Sequence, residues 1–288
     1  MRVARSPAEL ASRERAVAIG TFDGVHLGHR RVIEYAVAAG PAPTVVTFDP
    51  HPRLVLGYGV ELLATLTRRL ELFEELGVEE TLVLEFTHEL QQREPEEFAE
   101  DVLRPLGTSV VVAGGDFRFG HKRRGDLDLL RGLGFDTRAV PVVEGVSSTA
   151  IRKLLHAGDA GGAARQLGRP AEVEGTVVTG DERGGTLGFP TANLAVEAHL
   201  LVPAFGIYAG SARGHRAAVS IGTNPHYGGQ ERKIEAFLLE FSGDLYGQRL
   251  VVELWQRLRD EQAFASEEEL VAQIEQDVEQ TRHADRPV

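Results

Sequence analysis

The chain has 288 residues, more than one compact domain usually holds, so we expect two domains, although one larger domain would also fit. With 43 acidic and 31 basic residues its net charge is −12, which argues against a non-specific grip on nucleic acid or membranes. The absence of cysteine excludes disulfides, thiolate metal sites and cysteine nucleophiles, and no segment resembles a signal peptide or a membrane span. We therefore expect a cytoplasmic protein.

Up to about residue 140, short β-branched runs alternate with helix-like segments. The predicted strands are AVAIG (16–20), TVVTF (44–48), TLVLEF (81–86) and SVVVA (109–113), with predicted helices between them at 29–40, 66–77 and 95–106. This alternation predicts an α/β domain with a parallel sheet and helices on both faces. Ligands of such sheets bind at the carboxyl ends of the strands. The segments GTFDGVHLGH (20–29), DPHP (49–52) and GGDFRFGHKRRGD (114–126) all fall there.

Two histidines, His26 and His29, lie where the first helix should begin. A helix N-terminus offers unpaired N–H groups and the positive end of the helix dipole to a phosphate. Gly24 and Gly28 would let the backbone approach a ligand closely. The pair could therefore hold a triphosphate, while the alternative makes His29 an exposed first-turn residue and His26 a loop residue.

Two short helices follow the last strand-like run of the α/β part, and the pattern changes after them. Serines 147 and 148 cap a short helix in TAIRKLLHAG (149–158), and DAGGAARQLG (159–168) predicts another helix. After Pro170, strand-like runs separated by turn residues predict an antiparallel barrel or sandwich. The runs are VEGTVVTG (173–180), GIYAGSAR (206–213), AAVSIG (217–222), KIEAFLLEF (233–241) and RLVVELWQRL (249–258).

The last predicted element is a helix in SEEELVAQIEQDVEQTR (266–282). Ser266 and Glu269 match a capping box, and Leu270, Ile274 and Val278 form an apolar stripe. We expect this helix to pack on the barrel.

Glu235 can be judged from strand alternation. It shares one face with Phe237, while Ile234 and Ala236 occupy the other. If the face of Glu235 is the barrel interior, partial burial would raise its pKa and suit a general base. The alternative is a strand-end glutamate that points to water.

Four segments in order, GTFDGVHLGH, TFDPHP, GGDFRFG with Arg124-Gly125-Asp126, and SSTAIR (147–152), resemble the adenylyltransferase domain of bacterial bifunctional riboflavin kinase/FAD synthetases. GTLGFPTANL (185–194), GIYAG, IGTNPHYGG (221–229), IEAFLLEF and GDLYG follow in the order of the riboflavin kinase barrel. GTLGFPTANL lies in a predicted loop between the first two barrel strands. The resemblance implies a Rossmann-like nucleotidyltransferase domain at 1–168 and a β-barrel kinase domain at 169–288.

The implied activity is phosphorylation of riboflavin to FMN, followed by transfer of AMP from ATP to FMN with release of pyrophosphate. The implied partners are riboflavin, FMN, ATP and Mg²⁺, without nucleic acid or membrane, and homo-oligomer formation stays open. The resemblance implies that His26, His29 and Glu235 are catalytic. It also implies that Thr191 and Asn193 bind the metal ion. Asp23 and Asp116 are candidates for contact with the nucleotide or a metal ion. The residues that the resemblance assigns to nucleotide or phosphate binding are Gly20, Phe22, Asp23, Gly24, Asp116, Arg124, Ser147, Ser148, Thr149, Arg152, Gly188 and Thr191. The residues that it assigns to flavin are Asn193, Arg259 and Glu261.

Other interpretations of the same segments stay open. SSTAIR could be only a helix cap, HKRRGD a solvated basic loop, and GTLGFPTANL a turn. The chain departs from the family pattern at Gly185, where an Arg is usual and Arg183 lies nearby, and at Ala150 and His226. Two alternatives to a bifunctional enzyme stay open: a protein with one activity, and a flavin sensor without turnover.

Overall fold

The computed structural model of the protein describes residues 1–180, 187–223 and 232–288. These residues form two compact units. The first comprises residues 1–60 and 65–146, and the second comprises residues 61–64 and 147–288. The helical segment 147–168 therefore packs with the second unit, whereas the boundary predicted from the sequence counts it with the first.

The first unit contains a six-stranded parallel sheet in the order β1-β4-β3-β2-β5-β6. Its strands are β1 (Arg2–Ala4), β2 (Arg15–Ile19), β3 (Thr44–Asp49), β4 (Glu80–Glu85), β5 (Thr108–Gly114) and β6 (Asp136–Val140). The four strands expected from the sequence form the centre of the sheet, which confirms the predicted α/β class. The short strands β1 and β6, which the sequence pattern did not indicate, add one edge on each side.

Helices cover both faces of this sheet. They are α1 (Leu27–Ala39), α2 (Pro52–Val55), α3 (Leu66–Glu75), α4 (His88–Gln92), α5 (Pro95–Phe98), which continues as a π-helical turn (Ala99–Leu103), and α6 (Leu127–Gly132). Side chains alternate along β2, so Ala16 and Ala18 pack in one core with α1 and α3, while Val17 and Ile19 pack in the other with α5 and α6. Because both faces of the sheet are covered by helices, the central strands are apolar at successive positions.

The second unit is built on a closed six-stranded barrel in the order β10-β11-β8-β7-β12-β9, with antiparallel pairing throughout. Its strands are β7 (Ala171–Val178), β8 (Ala192–Ala195), β9 (Gly206–Ala212), β10 (His215–Thr223), β11 (Arg232–Leu238) and β12 (Arg249–Arg259). The barrel alternative to a sandwich is thus confirmed. The prediction of a loop across GTLGFPTANL was wrong at its end, because residues 192–195 form β8 between β7 and β11.

Among the described residues, three helices accompany the barrel: α7 (Ser148–His156), α8 (Ala160–Leu167) and α9 (Glu267–His283). The predicted terminal helix is confirmed, with Ser266 Oγ accepting from the Glu269 N–H at its start. Its end is held by Arg216 of β10, which donates to the carbonyls of Thr281 and Ala284 at 2.9 and 2.7 Å. Among the described residues, no helix has the length and apolar character needed to cross a membrane.

Candidate active sites

The loop after β2 has a strained backbone that is fixed by burial. Phe22 and Val25 adopt φ angles of 50° and 40°, in the left-handed region that residues with a Cβ rarely occupy. Their side chains are 2% and 1% exposed, so the core holds both residues in place. Strain of this kind persists where packing over-determines a functional loop. The phenyl ring of Phe22 also covers Gly20, where a Cβ would lie 3.0 Å from the ring.

The predicted histidine pair meets at the start of α1. His26 is the N-cap, and its Nδ1 accepts from the His29 N–H at 3.3 Å. The two rings stack with centroids 3.6 Å apart. Because Nδ1 of His26 is an acceptor, the neutral ring carries its proton on Nε2 and can donate from that atom. The site therefore combines an imidazole donor with a helix N-terminus.

Gly28 leaves room for the His26 ring. A Cβ at position 28 would lie 3.2 Å from Cε1 and 3.3 Å from Nδ1 of His26. Any side chain there would crowd the ring where it folds back over the first turn. The spacing of two histidines with a glycine between them therefore has a steric cause.

His29 is half-buried and is therefore not the exposed first-turn residue of the alternative interpretation. Its Nδ1 is buried without a hydrogen-bond partner in the part of the chain that the structure describes. The Phe22 ring contacts it edge-on at 5.3 Å. Burial lowers the pKa of His29 well below the ordinary 6.5, and the neighbouring His26 and Arg69 lower it further. His29 is therefore neutral near pH 7 in the free protein.

The second motif, DPHP, lies at the end of the neighbouring strand β3. The Asp49–Pro50 peptide bond is cis. His51 is 6% exposed and caps α2, with Nδ1 accepting from the Arg53 N–H at 3.1 Å. Thr47 Oγ1 of β3 donates to the carbonyl of Thr21 in the histidine loop at 3.3 Å. The structure therefore joins the first two motifs.

Two further predicted residues of the first unit lie on its surface. Asp116 is exposed after β5, with Oδ1 3.1 Å from the position of a Cβ on Gly114. Arg124 in the basic loop is exposed and forms an ion pair with Glu94. Asp23, which lies three residues before His26, differs from both because it is buried, with 2% of its surface exposed. The nucleotide roles of all three stay predictions.

The SSTAIR segment forms the start of α7 in the second unit. Ser147 is the N-cap, and its Oγ accepts from the Ala150 N–H at 3.1 Å, which confirms the helix-cap interpretation. Ser148 is half-buried and Thr149 is exposed. Arg152 donates from Nε to the carbonyl of Glu61 at 2.5 Å. Phosphate binding by these side chains stays a prediction.

The barrel brings together three of its predicted residues. Asn193 of β8 lies directly opposite Glu235 of β11 in the strand register. Thr191 Oγ1, just before β8, lies 3.5 Å from Glu235 Oε1. Lys233 Nζ lies 3.2 Å from the same oxygen. A hydroxyl, an amide and a carboxylate thus form one oxygen-rich cluster.

The interior placement considered for Glu235 was wrong. Ile234, Ala236 and Leu238 belong to the barrel core, so Glu235 and Phe237 lie on the opposite face of β11. The reason is packing, since branched aliphatic side chains and a small Ala fill the narrow interior of a six-stranded barrel. The Glu235 side chain is 29% exposed, which leaves its carboxylate accessible.

Asn193 supplies the observation that bears on a metal ion. The residue is 8% exposed, and its Oδ1 is buried without a hydrogen-bond partner among the described residues. Buried carbonyl oxygens are normally satisfied, so this oxygen is available to a ligand. Together with the Thr191 hydroxyl, this donor set fits Mg²⁺, which prefers hard oxygen ligands.

The other residues predicted to bind ligands in the second unit are Arg259, Glu261 and Gly188. Arg259, at the end of β12, binds Asp277 of α9 through Nε and Nη2 at 2.9 and 2.7 Å. A Cβ at Gly222 would lie 1.9 Å from Glu261 Oε1, so only glycine leaves room for this carboxyl. Burial raises the pKa of Glu261, and the charge of Arg259 opposes the shift. Gly188 is exposed with a φ of 88°.

Several departures from the family pattern lie outside the described residues: Arg183, Gly185 and His226. Ala150, by contrast, donates its N–H to the Ser147 cap at 3.1 Å. One residue near the first site was missed by motif comparison. Arg69 of α3 is 2% exposed, and its position on the apolar side of the helix pattern was the available signal.

Two family models match consecutive parts of the chain. The model described as FAD synthetase matches residues 8–151, and the model described as riboflavin kinase matches residues 167–284. Both are enzyme domains of flavin nucleotide synthesis. The protein is therefore a two-domain transferase.

Relatives match along most of the chain. The bifunctional riboflavin kinase/FMN adenylyltransferase of Listeria monocytogenes is 36% identical over 93% of this chain and 91% of its own length. The proteins of the same name from Bacillus subtilis and Escherichia coli are 34% and 36% identical. They cover 94% and 90% of this chain and 93% and 89% of their own lengths. The chain belongs to the bifunctional riboflavin kinase/FMN adenylyltransferase family.

A solved structure agrees with this fold along nearly the whole chain. It is named as a macrolide-efflux protein from Streptococcus pneumoniae and is 30% identical. It has a TM-score of 0.87 and covers 98% of this chain and 99% of its own.

Proposed function

We propose that the chain converts riboflavin to FMN in its C-terminal barrel and FMN to FAD in its N-terminal unit. ATP serves as co-substrate in both reactions. The observation that carries the proposal is that each family domain has its own cluster of reactive groups. His26 and His29 stack at a helix start in one, while Thr191, Asn193 and Glu235 meet in the other.

In adenylyl transfer, a phosphate oxygen of FMN attacks the α-phosphorus of ATP, the bond to the β-phosphate oxygen breaks, and pyrophosphate leaves. FMN brings its own nucleophile, so catalysis requires alignment and charge stabilisation rather than a covalent intermediate. His26 donates from Nε2 to a phosphate oxygen, and His29 stabilises charge on the transferring and leaving groups. The N-terminus of α1 adds its dipole to both.

In riboflavin phosphorylation, Glu235 takes the proton of the riboflavin 5′-hydroxyl, whose oxygen attacks the γ-phosphorus of ATP as ADP leaves. Its partly exposed carboxylate leaves room for the hydroxyl to approach. Thr191 and Asn193 would hold Mg²⁺, for which the unpartnered Asn193 Oδ1 is the support. A bound Mg²⁺ would neutralise charge on the ATP phosphates.

The other assignments follow the family resemblance and rest on it. Asp23, Asp116, Arg124 and the SSTAIR side chains are proposed for nucleotide, and Arg259 and Glu261 for flavin. The domain limits 1–168 and 169–288 and the cytoplasmic location are proposals of the same kind.

The test is a time course with purified protein, riboflavin, ATP and MgCl₂, followed by chromatography of the flavins. We expect FMN to appear first and FAD to follow. A second reaction that starts from FMN measures the adenylyl step alone. Formation of only one product would support the single-activity alternative, and flavin binding without turnover would support a sensor.

A further inference from the structure

A buried cation lies beside the histidine loop. Arg69 of α3 is 2% exposed and lies on the same side of the helix as Leu72 and Phe73, which α3 packs toward the sheet. Its neighbour Arg68, whose side chain is 15% exposed, forms ion pairs with Glu71 at 3.0 Å and Glu75 at 3.3 Å. The two adjacent arginines therefore have different partners, because Arg68 pairs with carboxylates of α3 whereas Arg69 reaches Thr21 and Phe48.

The guanidinium of Arg69 connects the two strand ends that carry the first two motifs. Nη1 donates to the carbonyl of Thr21 at 2.8 Å, in the loop that leads to the histidines. The same nitrogen lies 3.3 Å from Thr47 Oγ1 and 3.4 Å from the carbonyl of Phe48, at the end of β3. Nη2 also donates to the Phe48 carbonyl at 3.4 Å. One side chain thus sets the position of the histidine loop relative to the neighbouring strand.

Arg69 also balances the charge of this region. It forms an ion pair with Asp49 Oδ1 at 3.7 Å, and its charge interacts with buried Asp23. Burial lowers the pKa of Arg69, and the two carboxylates oppose that shift. Without the cation, the charges of Asp23 and Asp49 would face a polyanionic nucleotide with no Arg69 charge to offset them. The same cation contributes to the lowered pKa of His29.

We propose that Arg69 is a positioning residue for adenylyl transfer, which holds the histidine loop against β3 and neutralises Asp23 and Asp49 where ATP binds. The inference rests on the proposed adenylyltransferase function. The positive charge is the essential property, because the three acceptors Thr21 O, Thr47 Oγ1 and Phe48 O can also be met by the three N–H donors of a lysine.

The test compares Arg69→Gln and Arg69→Lys in the full chain, with Arg68→Gln as the matched control at the adjacent arginine. Gln keeps polar N–H donors and removes the charge, so we expect the KM for ATP in FAD synthesis to rise and kcat/KM to fall about 10²-fold. Lys keeps the charge and should restore kcat/KM to within about threefold of wild type. Arg68→Gln should behave as wild type. Riboflavin phosphorylation should be unchanged in all three.

A nuclear magnetic resonance titration of ¹⁵N-labelled histidine gives a readout that a purely structural role would not change. We expect the pKa of His29 to rise in Arg69→Gln and to stay at the wild-type value in Arg69→Lys. The groups around this imidazole are His26 of the cap, Phe22 of the loop and Arg69 of α3.

Three results would overturn the role of Arg69: full FAD synthesis by folded Arg69→Gln, an unchanged His29 pKa in that variant, or a tenfold loss in folded Arg69→Lys. The last result decides the matter even if the glutamine variant does not fold. Wild-type protein that makes no FAD from FMN would instead overturn the proposed function itself.

Discussion

The imidazole rings of His26 and His29 stack at 3.6 Å with an angle of 16° between their planes. Gly28 leaves space for the His26 ring above the first turn of α1, where a Cβ would lie 3.2 Å from His26 Cε1. The two histidines and the glycine between them are therefore in mutual contact and should respond together to substitution.

Gly28→Ala should therefore lower FAD synthesis without lowering stability. The new Cβ would lie 3.2 Å from His26 Cε1 and would displace the ring. Alanine is a better helix former than glycine by up to about 1 kcal/mol, so the melting temperature should hold or rise. The matched control is Gly132→Ala at the end of α6, where a Cβ has no neighbour within 4 Å among the described residues. Equal FAD synthesis by both variants would contradict the steric role.

The protonation of His29 should make stability depend on pH. Its pKa is lowered in the folded protein and ordinary in the unfolded chain, so the unfolded state binds the proton first as pH falls below 6.5. The free energy of unfolding should therefore decrease below that pH, and His29→Gln should lose less stability over the same interval. Urea unfolding above and below pH 6.5 measures this. Parallel losses in both proteins would count against a neutral, desolvated His29.

Glu235→Gln should separate the two reactions. The substitution keeps the shape of the side chain and removes the proton acceptor, so riboflavin phosphorylation should fall by about 10²-fold or more. FAD synthesis from FMN should continue at close to the normal rate. Initial rates of each half-reaction, with a melting curve as control, measure this. Normal kinase turnover in a folded variant would end the general-base assignment.

The helical segment before the barrel should add stability to a kinase fragment. Leu155 of α7 and Leu167 of α8 are each 4% exposed and pack in one cluster with Ala171 and Leu201. Burying each leucine contributes about 1.5–3 kcal/mol. Fragment 147–288 should therefore unfold at higher urea concentration than fragment 170–288, while both phosphorylate riboflavin. Coincident unfolding curves would show that the helices do not support the barrel.

Much of the fold was predictable because its central elements are strongly patterned. The four inner strands of the sheet are runs of β-branched residues, and α9 has both a serine cap and an apolar stripe. The edge strands escaped prediction for a physical reason. β1 has three residues, and β6 carries Asp136 and Arg138, since an edge strand with one exposed face does not need an apolar run.

The sequence motifs of both sites were recognisable, but the positions of their side chains in the fold were not predictable from the sequence. Strand alternation correctly placed Glu235 and Ile234 on opposite faces, yet it could not tell which face a closed barrel turns inward. Arg69 was missed because a charged residue inside an amphipathic helix normally indicates the solvated face. Its burial depends on acceptors in Thr21 and Phe48, which are distant in sequence.

The most direct measurement of the central claim, two separate active sites in one chain, is a mixing experiment. His29→Ala should make FMN from riboflavin but suppress FAD synthesis by at least about 10²-fold, because a preorganised charge-stabilising group is lost. Glu235→Gln should make FAD from FMN but little FMN from riboflavin. An equimolar mixture of the two variants, supplied with riboflavin, ATP and MgCl₂, should then produce FAD that neither variant makes alone. Failure of the mixture to form FAD while each protein is folded, or efficient conversion of riboflavin to FAD by either variant alone, would contradict the account.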